Sequence, residues 1–115
     1  MFNLDNQAEA AQQTEELEEV VMGLIINAGQ ARSQAYAALK QAKAGNFAQA
    51  QALMTSSHLA LNEAHRIQTR LIEEDQGTGK THLSLILVHA QDHLMTSMLA
   101  RELVTELIEL HEKIK

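Results

Sequence analysis

The long segments of this chain contain no proline, the residue that most reliably breaks a helix. Residues that end helices occur together at two places, Gly45-Asn46 and the polar stretch 73–79, which contains two glycines. Ala, Leu, Glu and Gln dominate elsewhere, and aromatic residues make up only 3% of the sequence. This composition favours helices over strands. With 115 residues the chain has room for one core, so we predict a single all-α domain.

Apolar residues recur three and four positions apart in three successive segments, as expected for the buried faces of helices. We predict helices at about 14–43, 47–72 and 80–111. Residues 1–13 are polar and lack this periodicity, so we predict a mobile N-terminal tail before a helical domain at 14–115. Because short loops join long helices, neighbouring helices should be antiparallel, and the predicted fold is an up-down-up three-helix bundle.

The third predicted helix is apolar around most of its circumference. Besides a regular core stripe, it carries a second apolar set: Leu85, Val88, Met95, Met98, Leu99, Leu103 and Leu110. A three-helix bundle covers only one side of each helix, so this second set needs another partner. We predict self-association through the third helix, which would repeat any polar residue of its inner face around a symmetry axis.

Charge and composition exclude several classes of function. The formal net charge of −6 at pH 7 argues against non-specific binding to nucleic acid, which needs a basic surface. The absence of cysteine excludes disulfide and thiol chemistry. No apolar run approaches the ~20 residues of a membrane span, and the first residues do not resemble a signal peptide. We expect a soluble, cytoplasmic protein.

Reactive side chains are concentrated in residues 88–95 of the third predicted helix. His89, Asp92 and His93 have i, i+3 and i+4 spacing, so they share one face within a single turn. Such a group is costly to bury without partners. Three interpretations remain open from spacing alone: hydrogen-bonded histidines at the bundle boundary, a metal site completed by other subunits, and a histidine that carries a phosphoryl group.

Two glycines, Gly23 and Gly29, lie inside the first predicted helix, where each costs about 1 kcal/mol relative to alanine. We interpret them as places where a neighbouring helix approaches closely. The alternative is that they leave room for a partner or for a group next to His89.

Three blocks of sequence stand out together: residues 21–33 (VMGLIINAGQARS), 62–72 (NEAHRIQTRLI) and 88–95 (VHAQDHLM). They resemble the IIA components of the bacterial sugar phosphotransferase system, in the lactose/cellobiose class. The resemblance extends over about residues 15–115 and is most specific in the third block.

This resemblance implies a homotrimer of three-helix bundles in which His89 is the phosphoryl acceptor. It implies that His89 takes the group from HPr and passes it to a cysteine of the IIB component, while IIC in the membrane transports a β-linked disaccharide. It also implies that three copies of Asp92 converge in the trimer and hold one divalent cation, for which Mg²⁺ is the best match because its preferred ligands are oxygens. Three buried carboxylates would otherwise repel one another.

A phosphoryl group on His89 would lie in the middle of a helix, where no helix N-terminus is available to stabilise its negative charge. We hypothesise that Gln91 or His93 donates a hydrogen bond to the phosphoryl oxygens or sets the orientation of the His89 ring. The alternative to a phosphoryl carrier is a non-catalytic, oligomeric helical bundle that binds metal through the same residues.

Overall fold

The computed structural model describes residues 4–114, apart from several side chains before residue 15. It contains three helices: α1 (Leu4–Lys43), α2 (Phe47–Asp75) and α3 (Leu85–Ile114). Each helix packs against the other two, and the long axis of the molecule measures 72 Å. The predicted all-α, up-down-up bundle is confirmed. No helix in the described part is both long and apolar enough to cross a membrane.

The core consists largely of small α1 residues against larger side chains of α2 and α3. One end of the bundle buries Leu24 of α1 with Leu94 of α3, and the other buries Val104 and Ile108 of α3. The α1 residues with no exposed surface include a series of alanines at helical spacing: Ala28, Ala31, Ala35, Ala38 and Ala42. Because alanine occupies little space, α2 and α3 approach α1 closely along its length.

A buried hydrogen bond fixes α2 against the middle of α1. The fully buried Ser57 hydroxyl donates to the backbone carbonyl of Ala31 at 2.6 Å. A buried hydroxyl without a partner would destabilise the fold, so this contact explains how serine is tolerated between two helices.

The first helix begins earlier than its apolar periodicity predicts. It starts at Leu4, so the predicted start near Thr14 is wrong. Residues 4–13 lack an apolar stripe, but Ala, Gln and Glu favour the helix and can extend one that has already nucleated. Residues 1–3 lie outside the described part, and the mobility expected for residues 1–13 stays a prediction.

The third helix begins later than predicted, at Leu85 instead of Lys80. The reason is the connection before it. Gln76, Gly77 and Gly79 all have positive φ, and the Asp75 carboxylate accepts from the backbone amides of Gly79 at 3.3 Å and Thr81 at 2.8 Å. These bonds hold the loop out of helical geometry.

Candidate active site on the third helix

The structure brings together two of the predicted site residues, His89 and His93. Their rings lie one helical turn apart with centroids 5.9 Å from each other and planes only 9° from parallel. The side chain of His89 is exposed, whereas that of His93 is half-buried. The His89 ring is therefore accessible to a partner, and the His93 ring lies behind it, on the side of the bundle.

The ring of His93 lies directly against the backbone of α1 at Gly29. A Cβ atom added to Gly29 would lie 3.3 Å from Nε2 of His93, which is tighter than ordinary van der Waals contact. The group beside Gly29 is a side chain and not the backbone of a neighbouring helix, so the alternative interpretation, room for a group next to His89, describes this position. The predicted close approach of a helix is wrong at Gly23, where an added Cβ would meet nothing within 4 Å.

The surroundings of His93 favour its neutral form. Burial lowers the pKa of His93 below its usual 6.5, and the charges of His89 and Arg32 lower it further, while Asp92 opposes them. Burial and nearby positive charge both disfavour a protonated imidazole. A neutral ring has one nitrogen that donates a hydrogen bond and one that accepts, so His93 can assist a neighbouring group without adding charge.

Arg32 acts on the pKa of His93 through its charge, which spacing on α3 could not reveal. It lies on α1, one turn after Gly29, and its guanidinium stacks over the Tyr36 ring at 5.5 Å from the centroid. Two arginines of α2, Arg66 and Arg70, instead form surface ion pairs with Glu63 and Glu74. The only hint in the sequence was that Gly29 and Arg32 both belong to residues 21–33.

Gln91 lies on the other side of α3 from the two histidines. Its side-chain oxygen accepts a hydrogen bond from the side-chain amide of Gln68 on α2. Residues two apart point to nearly opposite sides of a helix, so Gln91 does not join His89 within one chain. Its predicted supporting role stays a prediction.

Asp92 is exposed in the middle of the uncovered face of α3, and no hydrogen bond or ion pair links it to another described residue. Its neighbours one turn before and after, Val88 and Met95, are apolar yet each 54% exposed. The described part of the chain has no group of three or more His, Cys, Asp or Glu residues able to hold a metal. A cation at Asp92 would need ligands from further copies.

The family of the chain follows from comparison with known proteins. The family model for the lactose/cellobiose-specific IIA subunit of the phosphotransferase system matches residues 19–112. The chain belongs to this family. As a lactose/cellobiose-type IIA component, it is a phosphotransferase that acts as a phosphoryl carrier in a sugar phosphotransferase system.

Several relatives of this IIA component span most or all of its length. The N,N′-diacetylchitobiose-specific EIIA component of Escherichia coli K12 is 71% identical over 115 residues, covering 100% of this chain and 99% of the relative. The lichenan-specific IIA component of Bacillus subtilis is 40% identical over 87% of this chain and 91% of its own.

Solved structures agree with the fold. The IIA(chitobiose)–HPr complex from E. coli contains a chain 76% identical in sequence with a TM-score of 0.75, covering 85% of this chain and 95% of that chain. The cellobiose-specific enzyme IIA of Bacillus anthracis is 44% identical with a TM-score of 0.81, and the match covers 84% of this chain and 89% of that chain.

Proposed function

We propose that this IIA component accepts a phosphoryl group from phospho-HPr on His89 and transfers it to the IIB component of the same sugar system. The observation that carries the proposal is the exposed His89 ring stacked on the half-buried ring of His93. The similarity to an E. coli IIA protein solved in complex with HPr supports the donor. We also propose a cytoplasmic location, which the similarity to a phosphotransferase-system EIIA component supports.

The transfer needs a nucleophilic nitrogen and a stable product. In its neutral form His89 offers a lone pair that attacks phosphorus, so that a new N–P bond forms while the bond between phosphorus and its donor atom on HPr breaks. In the next step a thiolate of IIB attacks the phosphorus and His89 leaves as the free imidazole. The ring of His93 sets the plane of the His89 ring through their stacking and can donate one hydrogen bond to a phosphoryl oxygen.

We propose N,N′-diacetylchitobiose as the sugar of this system, ahead of cellobiose. The full-length identity of 71% to a diacetylchitobiose-specific IIA protein supports this choice, against 38% to a cellobiose-specific one. The preference rests on this similarity, since a IIA component hands its phosphoryl group to IIB and not to the sugar.

We propose that the protein is a homotrimer assembled through α3. The support is a largely apolar uncovered face along this helix, formed by Leu85, Val88, Met95, Leu99, Leu103 and Leu110, each more than half exposed. Burying such side chains is favourable by about 1.5–3 kcal/mol each, so a single bundle leaves a large driving force for association unused. Three copies are the number that the family resemblance implies.

We propose that one divalent cation, Mg²⁺ by preference, is held by the three Asp92 carboxylates of the trimer. Asp92 fits this role because it lies in the middle of the apolar face without a partner among the described residues. Three carboxylates brought together there would repel one another strongly unless a cation neutralised them, and carboxylate oxygens suit a hard cation.

In the proposed trimer, Gln91 of one subunit can lie near His89 of an adjacent subunit. His89 and Gln91 lie on opposite flanks of the face centred on Asp92, because residues along a helix are about 100° apart. In a symmetric trimer, one flank of each α3 meets the other flank of the next. We propose that Gln91 supports the His89 of an adjacent subunit.

The test is incubation with phosphoenolpyruvate, enzyme I and HPr, followed by intact mass measurement. We expect one acid-labile phosphoryl group on the wild type and on His65→Ala, a matched variant of an exposed histidine on α2. We expect none on His89→Ala. If the wild type gained no mass but retained bound metal, the alternative of a non-catalytic metal-binding bundle would replace the carrier proposal.

A further inference from the structure

Gly29 lies in the interior of α1, a position at which the presence of glycine has to be explained. Glycine destabilises the interior of a helix relative to alanine, because its backbone loses more freedom on folding. The glycines with positive φ are Gly45, Gly77 and Gly79, so Gly29 is not needed for an unusual backbone conformation. The explanation must lie in the space beside it.

That space is filled by the imidazole of His93. A Cβ atom on Gly29 would lie 3.3 Å from His93 Nε2, so one of the two groups would have to move by a few tenths of an ångström. The adjacent Ala28 and the nearby Ala31 are fully buried in the core, which prevents α1 from moving away. The half-buried ring of His93 is the group free to move.

A movement of the His93 ring would also change the position or orientation of the His89 ring. The two rings are 5.9 Å apart between centroids and nearly parallel, so a ring displaced from α1 shifts toward His89 or rotates out of the stack. A small residue on α1 thereby influences the orientation of an exposed ring on α3 that it does not itself contact.

We propose that Gly29 is a positioning residue for phosphoryl transfer: its missing side chain lets His93 rest against α1, and the stacked His93 fixes the ring of His89. This inference rests on the proposed role of His89 as the phosphoryl acceptor. It predicts that Gly29→Ala impairs transfer without weakening the helix.

The chain offers a matched control for this experiment. Gly23→Ala is the same change in the same helix, at a position where the added methyl group meets nothing within 4 Å. Both variants should be at least as resistant to urea as the wild type, since alanine favours a helix. We expect kcat for transfer from phospho-HPr to fall about threefold to tenfold in Gly29→Ala, with KM nearly unchanged, and to stay at the wild-type value in Gly23→Ala.

A double-mutant cycle separates positioning from a general structural effect. If Gly29 acts through His93, Gly29→Ala should have no further effect on kcat in a His93→Ala background. In the single variant, the NMR shifts of the His89 ring protons should change, because the ring stacked on it has moved. In Gly23→Ala, the NMR shifts of the His89 ring protons should match those of the wild type.

The proposal would be overturned if kcat of Gly29→Ala equalled that of the wild type. It would also be overturned if Gly29→Ala lowered kcat by the same factor in the wild-type and His93→Ala backgrounds. A wild-type protein that is not phosphorylated on His89 would instead overturn the proposed function. The mass measurement on the wild type therefore distinguishes failure of the proposed function from failure of the proposal for Gly29.

Discussion

The charge state of His93 depends on a residue of another helix. Burial lowers the pKa of His93, with the charges of His89 and Arg32 acting in the same direction. We predict that Arg32→Gln raises the pKa of His93, because it removes one of these positive charges. NMR titration of the imidazole measures this directly. Arg66→Gln, which removes an arginine paired with Glu63 on α2, should leave the His93 titration unchanged.

The same lowered pKa makes stability depend on pH. The unfolded chain binds a proton at His93 near its usual 6.5, whereas the folded protein binds it only at lower pH. Unfolding therefore takes up a proton between the two values, and the free energy of unfolding falls as pH falls through this window. Urea unfolding at pH 7.5 and 5.5 should show a smaller decrease for His93→Gln than for the wild type. An equal decrease in both proteins would contradict the prediction.

Sequence spacing could predict which residues of α3 share a face, but not which residues of α1 meet them. His89 and His93 are one turn apart in a single helix, and their proximity follows from helical geometry. Gly29 and Arg32 reach the same place only through the packing of α1 against α3. Neither periodicity nor composition specifies that pairing, since many rotations of one helix against another bury similar apolar stripes.

At the scale of helices, the middle of each element was predictable, as were the end of α1 at Lys43 and the start of α2 at Phe47, but the starts of α1 and α3 were not. Apolar periodicity located the packed parts of all three helices because burial creates it. It could not locate the start of α1, where residues 4–13 are helical although their sequence lacks an apolar stripe. Nor did it find the start of α3, which depends on local hydrogen bonds of Asp75.

The loop between α2 and α3 should depend on that carboxylate. Asp75 accepts hydrogen bonds from the backbone amides of Gly79 and Thr81, and both amides lose their partner in Asp75→Ala. We predict a decrease of about 1–2 kcal/mol in the free energy of unfolding, measured in urea. Glu73→Ala is the control, because it removes an exposed carboxylate from the same end of α2. A similar loss in both variants would show that charge, and not the loop bonds, is responsible.

At the scale of the whole molecule, the uncovered face of α3 and the carboxylate at its centre lead to a prediction about assembly. If a cation neutralises three copies of Asp92, a chelator should leave the carboxylates repelling one another and weaken the proposed trimer. In Asp92→Leu the apolar face continues without interruption from Val88 to Met95, so association should persist and no longer respond to chelator. Sedimentation with and without EDTA measures both effects.

The control for this experiment lies on the same helix face. Glu106 is exposed, and it is four turns further along α3 than Asp92, so Glu106→Leu adds similar apolar surface without removing the proposed ligand. We expect the Glu106→Leu protein to remain sensitive to EDTA. If both variants lost their sensitivity, added apolar surface alone would account for the result. If the wild type sedimented as a trimer that EDTA did not change, the carboxylates would have to share protons in place of a cation, because three ionised groups cannot remain together uncompensated.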